Sequence, residues 1–259
     1  MEGSAGVMAL VLAEIVAGAA VLLWCAPVWK EVKRGFFKLM GVLLLTLGLL
    51  AWVSASAGAV EGSFWGSWSV RLTIVTAGIV ALWTILLFAR QYSVARFLGF
   101  SGGVSAVATL VFMAGTGRQA MGPALFQLLA GAAFLGSVID CLMLGHWYLT
   151  DRGLPRKPIE RYTTAMLVGV GVEVVAVISG GFAGTASSQS FNPLLTVGAL
   201  APWIALGMVL ATGLIAGLAR AALKGERASA VQSATGFYYL AVVTSLTAEL
   251  AVKTRFFAR

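Results

Sequence analysis

Residues 7–23 read VMALVLAEIVAGAAVLL. Every position is apolar or glycine except Glu14. With the apolar residues on either side, the run reaches the roughly 20 residues that a helix needs to cross the hydrocarbon of a bilayer. A carboxylate there is expensive. Such a residue faces a bundle interior or a wet cavity, and it is a functional candidate by default. Two other acids sit in equally apolar settings: Asp140 in GSVIDCLML (136–144) and Glu173 in GVGVEVVAV (169–177). The stretch at 7–23 thus decides two things together: a membrane-spanning fold, and a polar interior.

Composition widens that reading to the whole chain. Of 259 residues, 59% are hydrophobic and 11% are charged, and the mean hydropathy is +0.93. A soluble domain carries about 25% charged residues. The deficit leaves no water-facing shell, which excludes a large soluble catalytic unit. The expected fold is an all-α polytopic membrane protein with eight transmembrane helices, a single transmembrane domain over 1–259. The net charge of +8 belongs to basic loops that set topology and meet lipid head groups. No basic stripe interleaved with aromatics marks a nucleic-acid partner.

Eight apolar runs are separated by polar punctuation. The expected spans are 6–29, 37–57, 70–88, 97–115, 124–149, 162–182, 194–218 and 231–252. Pro155 and Pro158 stop the charged loop after Thr150 from continuing as helix. A polar stretch over 184–192 ends at Pro193; Pro202 is the only mid-span proline, and Pro27 lies close to the end of the first span. The N-terminus lacks a basic leader, so the first run reads as a retained span. Alternate loops carry 13 of the 18 basic residues. The positive-inside rule places those loops in the cytoplasm and both termini outside, in a bacterial-type cytoplasmic membrane. Trp29, Trp65, Trp68, Trp147 and Tyr148 fall near the expected interfaces, where amphipathic rings settle.

Eight spans divide into halves 1–118 and 119–259, and an even count per half implies a parallel repeat about the membrane normal. Ala-Gly-Ala-Ala recurs at 17–20 and 130–133. Small residues at helix-packing spacing, such as Ala165 with Gly169 and Gly213 with Gly217, let backbones approach closely.

Glu14, Asp140 and Glu173 are the proton-relay candidates. Glu14 and Glu173 lie at similar depths on antiparallel spans, so they share one polar site if those spans meet. Asp140 lies nearer the cytoplasmic end. His146 follows six residues later, about 9 Å along the axis and on another face. The alternative for each acid is a neutral carboxyl hydrogen-bonded to a neighbouring helix as packing glue. His146, Trp147, Gly169 and Gly171 are the quinone candidates: a histidine able to donate to a carbonyl, a belt aromatic, and two glycines that leave room beside Glu173. Glu249 and Lys253, at i,i+4 spacing near the last span's end, read as a surface ion pair. Gln127 reads as ordinary packing, and Arg71 and Arg118 as residues reaching for the interface.

One histidine and two distant cysteines exclude a bis-histidine haem or a thiolate metal centre held by this chain alone. No Walker, HExxH or GxSxG pattern is present. The first functional expectation is an integral-membrane subunit of an electron-transfer complex, binding quinone or relaying protons while partner subunits hold the metals. The chain is then not catalytic alone. The eight-span, four-plus-four layout resembles the quinone-reactive membrane anchors of the polysulfide-reductase type. The resemblance is one of layout, and no residue roles follow from it. The alternatives are a proton- or cation-coupled small-molecule transporter and an assembly subunit without its own site. Membrane lipids are the certain partners in every case.

Overall fold

The computed structural model describes residues 1–25, 28–151, 153–180, 200–225 and 229–257. Among these, the helices are α1 (Gly3–Cys25), α2 (Val28–Glu31), α3 (Arg34–Gly58), α4 (Phe64–Phe88), α5 (Tyr92–Ala114), α6 (Met121–Thr150), α7 (Lys157–Ser179), α8 (Leu200–Leu223) and α9 (Ser229–Thr254). All except α2 are long and apolar enough to span a membrane. The protein is an all-α polytopic membrane protein, and no strand occurs among the described residues. With no water in hydrocarbon, each span satisfies its backbone polar groups within its own helix.

Span boundaries follow local chemistry. Ser63 caps α4, accepting the amide of Gly66 at 3.1 Å. Gly62 turns the chain there with φ +74°, where a side chain is disfavoured. Pro158 sits in the first turn of α7, where it costs no hydrogen bond. The first span ends at Cys25 rather than at Trp29. Trp29 belongs to the short α2, stacked at 4.0 Å beneath the Arg34 guanidinium. The polar stretch 184–192, Pro193, the expected span start at 194–199, and Pro27, Arg152, Arg227 and Arg259 lie outside the described residues.

Two rings of four helices carry the fold. The spans α1, α3, α4 and α5 pack in sequence, and α5 closes back on α1. The spans α6, α7, α8 and α9 do the same, with α9 closing on α6. The rings join mainly through α1 against α6, supplemented by α1 with α9 and α5 with α6. Exchanging one ring for the other leaves this scheme of principal contacts unchanged.

The α1–α6 seam is the centre of the molecule. In their most apolar windows 83% of α1 and 72% of α6 is buried, against 33–44% for the other spans. Lipid tails do not drive apolar helices together, so contact depends on close fit. At Gly18 the fit is backbone to backbone: a Cβ there would lie 1.7 Å from the Ala132 carbonyl oxygen. Opposite, a Cβ on Gly136 would lie 2.3 Å from the Gly18 carbonyl carbon. The outer spans turn Val53, Ile85, Phe97, Val168, Leu214 and Val243 outward, as lipid-facing surfaces require.

The bundle has two unlike ends. The α1–α3, α4–α5, α6–α7 and α8–α9 connections lie at one, here called the basic end. The other, the terminal end, holds the α3–α4 and α5–α6 turns and both chain termini, which meet where Phe257 packs on Gly6.

Candidate ionic site at the ring junction

Three helices bring four ionisable side chains together inside the bundle, against the backbone of a fourth. Lys253, from the last turn of α9, extends its Nζ to within 2.8 Å of Glu14 Oε1 on α1 and 2.9 Å of Glu249 Oε2 on α9. It also approaches the Gln127 carbonyl oxygen on α6 at 3.4 Å. Lys253, Glu14, Glu249 and Glu173 are all fully buried. An ammonium has three donors and no acceptor, and these three oxygens account for all of them.

The expected surface pair is therefore corrected. Glu249 and Lys253 do pair at i,i+4 spacing, but both have 0% exposure and a third partner from α1. Lys253 turns inward because Gly131 of α6 leaves room for the Glu14 carboxylate: a Cβ on Gly131 would lie 2.7 Å from Glu14 Oε1. Gln127 is likewise more than packing, since its carbonyl meets the lysine and its side chain lines a cavity.

Glu173 of α7 completes the site. It lies within electrostatic reach of Glu249, Lys253 and Glu14. No amide or hydroxyl among the described residues donates to either Glu173 oxygen. Spans α1 and α7 are not among the extensively packed pairs. Glu14 and Glu173 meet across α6 and α9 instead.

Charge balance sets the chemistry. Three carboxylates against one ammonium leave two uncompensated negative charges. A buried charge without a partner costs several kcal/mol, so the site calls for bound protons or a further cation. Lys253 already occupies the position between two carboxylates that a metal ion would take. Among the described residues, no three His, Cys, Asp or Glu side chains are grouped to hold a metal.

A cavity of about 340 Å³ lies on the terminal-end side of the cluster. Gln127, Ala176, Gly180 and Pro202 line its inner part, and Arg118 and Arg255 its rim. Burial holds the Arg255 guanidinium below its ordinary pKa. The volume falls in the range of small-molecule pockets, about 300–1,000 Å³. Gln127 belongs both to this lining and to the shell around Lys253. Arg118 thus turns to the cavity, whereas Arg71 stacks near the Trp68 ring at 5.4 Å.

The other candidates lie elsewhere. Asp140 is fully buried, and neither carboxyl oxygen has a hydrogen-bond partner among the described residues. His146 is exposed, with Nδ1 at 3.4 Å from the Tyr239 hydroxyl. The Trp147 ring packs over Gly35 and toward Phe36. Gly169 packs on the α6 backbone, where a Cβ would lie 2.9 Å from the Ala133 carbonyl oxygen. Gly171 faces outward with open space beside it. The four quinone candidates are not brought to one place. The sequence offered one signal for the missed members of the ionic site: Lys253 stands four residues from an acid, at the end of an apolar run.

The class defined by fold and site is an eight-span helical membrane protein with a buried ionic cluster at its core. Comparison with protein-family models, curated proteins and solved structures returns no match.

Proposed function

We propose that the chain relays protons within the membrane, using the buried acids Glu14 and Glu173 to take up and release them and Lys253 as their internal counter-ion. The observation that carries this reading is the gathering of three fully buried glutamates around a lysine whose donors are already used. Protonation and release at those acids change the charge next to Lys253, so binding in the adjacent cavity is electrically linked to the proton. A small polar or anionic solute in that cavity makes the protein a proton-coupled transporter. The Arg118 and Arg255 rim supports the anionic class.

A second reading rests on the exposed His146–Tyr239 pair. A lipid-borne quinone meeting that pair would make the chain the membrane subunit of an electron-transfer complex, with partner subunits holding the metals. In both readings the basic end faces the cytoplasm of a bacterial-type membrane, both termini lie outside, and the ionic site supplies the proton step.

The test uses purified full-length protein in vesicles loaded with a pH-sensitive dye, under an imposed potassium diffusion potential. Proton flux above that of protein-free vesicles is expected. It should fall about tenfold in Glu173→Gln, equivalent to roughly 1.4 kcal/mol on the barrier. Wild-type flux equal to that of empty vesicles, or undiminished flux in Glu173→Gln, overturns the proposal.

A further inference from the structure

Asp140 has no role in the ionic site, yet it is the most costly unexplained group in the bundle. Its carboxyl is fully buried and lacks a hydrogen-bond donor among the described residues. It takes part in none of the ion pairs found among the described residues. An unpaired carboxylate in that position costs several kcal/mol, so the group is carried as the neutral acid. On α6 it lies nine residues beyond Gly131, where Glu14 packs, and so about 13 Å nearer the basic end.

Toward the ionic site, about one helical turn away on α6, lies the buried hydroxyl of Ser137. Gly169 leaves the Ser137 flank bare of side chain: a Cβ on it would stand 3.1 Å from Ser137 Oγ. Toward the basic end lies Tyr162 of α7, packed in one buried cluster with Cys141, the neighbour of Asp140. The Tyr162 hydroxyl is buried and also without a hydrogen-bond partner among the described residues. Beside it, Thr163 Oγ1 meets the Tyr238 hydroxyl at 2.6 Å. Thr163 donates its own proton to the Ile159 carbonyl at 2.7 Å, which leaves Tyr238 as the donor between them. The Tyr148 hydroxyl, which donates to the Pro155 carbonyl, closes the column at the basic end.

We propose that Asp140 is a second proton-binding station, exchanging with the basic end of the bundle through the Tyr162 hydroxyl. This deepens the proton reading of the ionic site by supplying the half of the route that the site itself lacks. In the exchange Asp140 passes its carboxyl proton to a hydroxyl or water on one side and takes a proton from the other. Tyr162 donates its hydroxyl proton as it accepts another. Each group ends with the protons it began with, and no electron moves. His146 is left outside this route, on the lipid-facing side of α6.

The chain contains two aspartates, Asp140 and Asp151, and that makes the test direct. Asp151 lies beyond α6 in a 3.0 Å ion pair with Lys33, whose side chain is 74% exposed. Infrared spectra of the full chain in vesicles, with aspartate carboxyls labelled with carbon-13, therefore isolate Asp140 without mutating it. One labelled protonated-carboxyl band is expected at neutral pH, shifting on transfer to deuterium oxide. In Tyr162→Phe the shift should slow by about tenfold, roughly 1.4 kcal/mol on the barrier. That variant removes only an unpartnered hydroxyl, so folding should survive. In Glu173→Gln the shift should keep its wild-type rate. Absence of the band, a band indifferent to deuterium, or an unchanged rate in Tyr162→Phe overturns the proposal. Failure of vesicle proton flux with normal Asp140 exchange would instead count against the ionic-site reading alone.

Discussion

Replacing Lys253 with methionine removes the one positive charge inside the ionic site while keeping the length of its stem. Two carboxylates, at 2.8 and 2.9 Å, lose their partner together. Breaking a buried pair by deleting one member costs about 3–5 kcal/mol, because the remaining charge stays buried. At about 2–4 °C per kcal/mol for a chain of this size, the melting temperature should fall by roughly 6–20 °C. Tryptophan fluorescence in detergent micelles, on variants matched for expression, reads that shift. Acidification should reduce the loss, since protons then replace the missing ammonium. The double variant Lys253→Met/Glu14→Gln should lose less than the sum of its single variants, by about 1–3 kcal/mol, as expected for groups in direct contact. A melting temperature for Lys253→Met close to wild type, or strict additivity in the double variant, would refute the reasoning. Either result would mean that the lysine is solvated or turned outward.

Three further outcomes follow from packing and exposure. Gly136→Leu should destabilise or abolish the fold, by at least about 1–3 kcal/mol for overpacking, because even a Cβ there meets the α1 backbone at 2.3 Å. Gly78→Ala, with nothing within 4 Å of its Cβ, serves as the control and should melt like wild type. Lys33→Ala should change stability by no more than about 1 kcal/mol, since its ion pair to Asp151 is surface-exposed; chemical denaturation in micelles measures it. Maleimide should label Cys25 quickly and Cys141 slowly in the native protein, because the first is exposed and the second buried. Mass spectrometry after timed labelling, with equal rates as the contrary result, decides that point.

Much of the candidate site was legible in part. Glu14 and Glu173 stood out because each interrupts an apolar run, and hydrocarbon makes such an interruption costly wherever the helix packs. Asp140 and His146 were correctly assigned to different faces from helical spacing alone; one is buried and the other exposed. Lys253 and Glu249 were misread for a physical reason. Their i,i+4 spacing is equally satisfied by a wet pair at a helix end and by a dry pair in a core. The sequence carries no local mark to separate the two. The position of Gln127 was open for the same reason.

Composition and apolar run length determined the membrane class, the number of spans and the presence of polar groups inside them. Those properties follow from the free energy of each segment in hydrocarbon, which is additive along the chain. Tertiary structure alone decided that Lys253 reaches a carboxylate 239 positions earlier, that α6 makes room for it at Gly131, and that the Glu249–Lys253 pair is buried and not at the surface. Those contacts depend on which helix faces touch and at what height. In lipid that choice is set by the fit of small residues between helices, which no single segment encodes.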